Sequence, residues 1–133
     1  MTYLLDTNAC IRYLNGRSVN LCLRLESHSA SQIAVCSIVK GELFVGAMKS
    51  HFPSKTLAKQ QQFLDQFVSL PFDDLAAYAY SRLRADLESI GQPIGPLDML
   101  IAAIAVANNL TLVTNNTREF SRVVGLQLED WEI

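Results

Sequence analysis

The chain has 133 residues, half of them hydrophobic and 18% charged, a balance that suits one globular domain over 1–133 and excludes a disordered polypeptide. Its longest apolar stretch, Met99 to Ala107, is too short to cross a bilayer, and no basic region followed by a long apolar run opens the sequence, so a cytoplasmic protein is expected. The formal net charge of −2 argues against broad nucleic-acid binding through a basic face, and three cysteines without CxxC spacing (Cys10, Cys22 and Cys36) exclude a disulfide framework and a zinc knuckle.

Nothing repeats, and short β-rich runs alternate with helical patterns. Tyr3-Leu4-Leu5 is a buried strand, followed after Asp6-Thr7 by a helix from Asn8 to Leu14. Leucines at 21, 23 and 25 suggest a helix within Ser18 to His28. Ile33 to Cys36 is a second strand, and Ser37 is expected to cap a helix running to about Lys49. Pro53-Ser54 should open a helix through Val68, with Leu70-Pro71-Phe72 as a third strand. Asp73 or Asp74 can cap a helix from Leu75 to Ile90, with an apolar stripe of Ala76, Ala79, Leu83, Leu87 and Ile90, and Gly91 stops it. Pro96 sits in the first turn of a helix reaching Ala107; Thr111 to Thr114 is a fourth strand, and Gln127-Leu128 can add an edge. Strands separated by helices imply an α/β fold, a parallel sheet with helices on both faces, in which ligands gather at the carboxyl ends of the strands.

Three carboxylates stand out against that frame. Asp6 directly follows the first strand, where it is either a helix cap or a site residue. Glu42 shares its helix face with Ile38, Val45 and Gly46, and a carboxylate among apolar neighbours calls for a partner, a metal ion or an arginine. Asp98 lies in a first helical turn, where an acid suits the dipole, yet its face continues with Ile101, Ala102 and Ala105. Brought together, these acids would repel one another and favour a divalent cation, magnesium or manganese over zinc, since histidine and cysteine ligands are missing. Thr114 again falls at a strand end, and Glu119 follows in a short helix, as a site acid or as a solvated neighbour of Arg118 and Arg122. His28 and His51 are expected at the surface, as are the helical pairs Arg82 with Asp86 and Arg84 with Glu88. Arg12 could meet a phosphate but is more simply solvated.

The segments Leu4-Leu5-Asp6-Thr7-Asn8, Gly41-Glu42-Leu43, Gly95-Pro96-Leu97-Asp98 and Val113-Thr114-Asn115-Asn116 with Arg118-Glu119-Phe120 resemble the motifs of the PIN-domain family, in its VapC toxin branch. The resemblance extends to Leu128-Glu129-Asp130-Trp131. It implies a Rossmann-like PIN fold and a Mg2+- or Mn2+-dependent endoribonuclease in which Asp6, Glu42 and Asp98 are the catalytic acids and Asp6 and Asp98 hold the metal. Thr7, Asn8, Thr114, Asn116 and Glu119 are then supporting residues. Many PIN domains carry an aspartate where this chain has Asn116, which leaves open whether Asn116 or Glu119 fills the fourth position and whether a second ion binds. The resemblance further implies a VapB-type antitoxin, a homodimer that assembles with it, and RNA, with tRNA expected, as substrate.

Two other functions fit the sequence less well. A phosphatase of the haloacid-dehalogenase type needs a second aspartate two residues after the first, and that position is Asn8. A PIN-like interaction module that no longer cuts would not need the three acids.

Overall fold

The computed structural model describes residues 1–133. Tyr3–Leu5 (β1) leads directly into Thr7–Leu14 (α1), which is followed by Val19–Glu26 (α2) and a 3-10 turn at Ala30–Gln32. Ile33–Cys36 (β2) passes into Ser37–Met48 (α3) and Pro53–Leu64 (α4), then Val68–Leu70 (β3). Asp74–Ser89 (α5) and Pro96–Ala107 (α6) precede Thr111–Val113 (β4), Thr117–Phe120 (α7) and Leu128–Glu129 (β5).

The five strands form one parallel sheet in the order β3-β2-β1-β4-β5. From β1 the chain steps outward to β2 and β3, then returns to β4 on the other side of β1. Right-handed crossovers in opposite directions put helices on both faces. The point where the direction reverses lies between β1 and β4, and ligands in such sheets bind at the strands' carboxyl ends there. Apart from Thr111, the buried residues of the inner strands are apolar: Leu4, Leu5, all of β2, and Leu112 and Val113 of β4. Burial on both faces explains why they read as continuous apolar runs and not as alternation.

The helix ends follow local chemistry. Asp73 caps α5 by accepting from the Ala76 N–H at 2.9 Å, and Gly91, at φ 66°, takes the left-handed turn that ends it. Ala76, Leu83 and Leu87 of the expected stripe are buried and Ala79 is half-buried, but Ile90 is exposed because it falls at the helix end. Ser37 is not the cap of α3. The strand runs to Cys36, which takes the capping position, and Ser37 is the first helical residue with no capping side-chain bond.

The α4–β3 boundary also differs from expectation. The helix stops at Leu64, and the strand is Val68–Leu70, paired with Ala34, Val35 and Cys36. Pro71 lies outside it, having no N–H to donate to a ladder.

The last residues pack back onto α1 and α2. Trp131 is buried, stacked face to face on His28 at 4.9 Å and edge-on to Tyr3 at 5.0 Å. Arg24 lies over the Trp131 ring and pairs with Glu129 at 3.2 Å, while Glu132 pairs with Arg12. His28 is therefore half-buried in an aromatic stack and not a free surface histidine, whereas His51 is exposed. Cys10 and Cys36 are buried and Cys22 is half-buried, all as free thiols. Of the two surface pairs expected on α5, only Arg84–Glu88 forms, at 3.2 Å. No helix is long and apolar enough to cross a membrane.

Candidate active site

At the reversal point of the sheet the chain leaves β1 at Asp6 and β4 at Thr114. The Asp6 N–H still donates to the Val113 carbonyl at 3.1 Å, and the Thr114 N–H to the Glu129 carbonyl at 3.0 Å, so both residues are fixed by the ladder. Asp6 then caps α1, its Oδ1 accepting from the Ala9 N–H at 2.8 Å. Asp6 is therefore the cap of α1, and the same residue also lines the cleft described below.

Asp6 is only 4% exposed. Burial pushes its carboxyl up from 3.8 to about 6; the Thr114 hydroxyl and the Ala9 N–H oppose the rise, and the negative charges of Asp98 and Glu132 add to it.

Glu42 reaches the same place from the second turn of α3. Its partner is neither an arginine nor any other cation. The Thr7 hydroxyl donates to Glu42 Oε1 at 2.6 Å, which ties α3 to the first turn of α1. Asp98 comes from the first turn of α6, after Gly95 and Pro96. A Cβ at Gly95 would lie 3.2 Å from Asp98 Oδ2, so the missing side chain leaves room for the carboxylate. Asp98 is also raised, first by burial and then by the charges of Glu42 and Glu119.

Glu119 is thus within electrostatic reach of the group, and Asn116 holds it: the Asn116 amide donates to Glu119 Oε2 at 2.7 Å. Asn116 is itself placed by its N–H, which donates to the Thr114 hydroxyl at 2.9 Å. The neutral residue at 116 and the acid at 119 act as one unit.

Asp6, Thr7, Asn8, Glu42, Asp98 and Asn116 line one cleft of about 370 Å³, closed at its sides by Ile11 and Phe120. No three of its acidic side chains converge into a ready-made metal cage. The sequence pointed to all six of these polar residues, but not to Gly95, whose role depends on how the Asp98 side chain folds back. Glu132 also escaped it: the residue is far along the chain, and only the return of the last segment brings its charge near Asp6. Arg12 is engaged by Glu132.

The sequence profile of the PIN domain matches residues 3–126, and the chain belongs to that family. It is 37% identical to the tRNA(fMet)-specific endonuclease VapC of Shigella flexneri over 98% of both chains, and 39% identical to ribonuclease VapC2 of Rickettsia felis over 99% of both. The DNA-bound VapBC structure from Salmonella typhimurium superposes with a TM-score of 0.93 at 36% identity, covering 98% of each chain. Within the family, this full-length likeness puts the chain among the VapC-type toxin ribonucleases.

Proposed function

We propose that the chain is a Mg2+- or Mn2+-dependent endoribonuclease that hydrolyses phosphodiester bonds of RNA at Asp6, Glu42 and Asp98. The observation that carries this reading is the gathering of these acids, from three separate elements, around one cleft at the reversal point of the sheet. Burial without a cationic partner raises Asp6 and Asp98, and such a set is relieved by a cation. The donors are all oxygens and the arrangement is open, which fits an ion that keeps several waters and takes one or two carboxylates.

Asp6 and Asp98 would hold the ion, which when bound offsets charge on the phosphate and acidifies water. Glu42, oriented by Thr7, faces the cleft as the third acid, positioned to take a proton from an attacking water. Glu119, held by Asn116, fills the fourth position, and Asn8 and Thr114 orient neighbouring groups. Attack by water leaves 5′-phosphate and 3′-hydroxyl ends and makes no use of the 2′-hydroxyl.

The tRNA substrate is supported by the similarity to the tRNA(fMet)-specific endonucleases VapC of Shigella flexneri and Salmonella typhimurium. A cognate VapB-type antitoxin is supported by the VapBC complexes of Salmonella typhimurium and Rickettsia felis. On this chain α3 leaves Val45 52% and Met48 56% exposed, apolar surface available to an antitoxin or to a second copy in a homodimer. The site of action is the cytoplasm.

The test is incubation of the purified chain with total tRNA and with ribosomal RNA, in Mg2+, in Mn2+ and in chelator, followed by sequencing of 5′-phosphate ends. Metal-dependent cuts confined to tRNA support the reading. Absence of cleavage together with no calorimetric Mg2+ or Mn2+ binding would instead make the chain an interaction module.

A further inference from the structure

A second concavity adjoins the acidic cleft. Ile11 lines both, and the neighbouring groove of about 520 Å³ runs between α1, α3 and α4. Its floor is Leu14 and Leu43, and at its edge stands Phe52, 70% exposed. Lys55 and Lys59, one helical turn apart on α4, face it without a carboxylate at ion-pair distance from either. Gln60 completes the lining. It is 8% exposed; its Nε2 donates to the Leu43 carbonyl at 3.0 Å, and its Oε1 has no partner.

We propose that this groove is the track for the nucleotides flanking the cut phosphate of a single-stranded RNA segment. Two unpaired cations suit two phosphates, and an exposed aromatic ring on an apolar floor suits the face of a base. The inference rests on the ribonuclease reading above. It also eases a difficulty of charge: a chain of net charge −2 with a carboxylate site repels RNA, and a local cation pair beside the cleft supplies attraction.

The experiment uses the full chain and fluorescein-labelled RNA hexamers, with anisotropy in chelator and cleavage kinetics in Mg2+. K55A/K59A should weaken binding about tenfold or more at moderate salt and lower the slope of log affinity against log salt by about 1.4, at about 0.7 per phosphate on a single strand. The same variant should raise KM while leaving kcat near wild type. F52A should weaken binding about tenfold. Unchanged affinity, salt slope and KM in K55A/K59A, with wild-type cleavage intact, would overturn the track while leaving the ribonuclease reading standing. Loss of affinity for the antitoxin protein alone would assign the groove to a protein segment instead. A wild-type chain that cuts no RNA would count against the ribonuclease reading itself.

Discussion

The Thr7 hydroxyl donates to Glu42 Oε1 across 2.6 Å, and this single bond joins residues 35 positions apart in sequence, on α1 and α3. It explains how a carboxylate on a largely apolar helix stays oriented without a cation beside it. Thr7→Val removes the donor and keeps the shape. We expect a loss of about 1 kcal/mol in stability and a clear drop in cleavage rate, checked by thermal melting and an RNA assay. Glu42→Gln keeps an acceptor for Thr7 but removes the charge. In chelator it should melt at or above the wild-type temperature while losing activity, and a markedly lower melting temperature would assign Glu42 a structural role.

Asp6 makes the metal-free protein sensitive to pH in an unusual direction. Its folded pKa, about 6, lies above the unfolded value near 3.8, so the folded state binds the proton more tightly. Its contribution to stability is fully present below about 3.8 and is lost as pH rises through 6. Asp6→Asn keeps the cap on α1, since asparagine caps as well as aspartate, and removes the buried charge. In chelator at pH 7 the variant should therefore be the more stable protein, by up to about 3 kcal/mol, with the gap closing near pH 4. Denaturant melts at the two pH values check this. Equal stability at pH 7 would mean that the buried carboxylate is already compensated.

Asp98 allows a change of charge to be separated from a change of position. Asp98→Asn should fold and lose cleavage by at least about a hundredfold, an estimate for removing a group that stabilises reacting charge. Gly95→Ala leaves the charge in place, but its new methyl group meets Asp98 Oδ2 at 3.2 Å and must push it aside. Gly95 has φ −54°, which alanine adopts freely, so the melting temperature should barely change while activity falls. Unaltered activity in Gly95→Ala would show that the carboxylate can move without consequence.

The Asn116–Glu119 pair predicts that the two residues cannot be altered independently. Asn116→Ala and Glu119→Ala should each lower activity, and the double variant should do little more than the worse single one, because both break the same unit. Strictly additive losses, measured as kcat/KM, would mean that they act separately.

Much of this was legible in the sequence because the informative residues sit at element boundaries. Asp6 follows a buried strand and precedes a helix, and Thr114 ends the fourth strand, so one-dimensional patterns sufficed to put both at the carboxyl edge of the sheet, while Asp98 was marked by its first-turn position and the apolar face of its helix. Glu42 was recognisable by its apolar helix neighbours, but its partner was not: Thr7 meets it only through the packing of α1 on α3, and no local pattern records that distance. The α4–β3 boundary misled for a different reason. Phe67 and Val68 stand four residues after Phe63 and Leu64, a spacing that prolongs the helical pattern past Leu64, and pairing with β2 makes Val68 a strand residue instead. The surroundings of His28 were out of reach as well, since Tyr3 and Trp131 come from opposite ends of the chain.

That stack has a practical consequence. Trp131 is the only tryptophan in the protein, and it is buried between an imidazole and a phenol ring at the place where the final segment meets α2. Its emission is therefore an intrinsic optical gauge of whether that segment is docked, with no label required. Release of the segment should shift the fluorescence to the red before far-ultraviolet circular dichroism reports any loss of helix, so fraying at this edge can be timed separately from global unfolding.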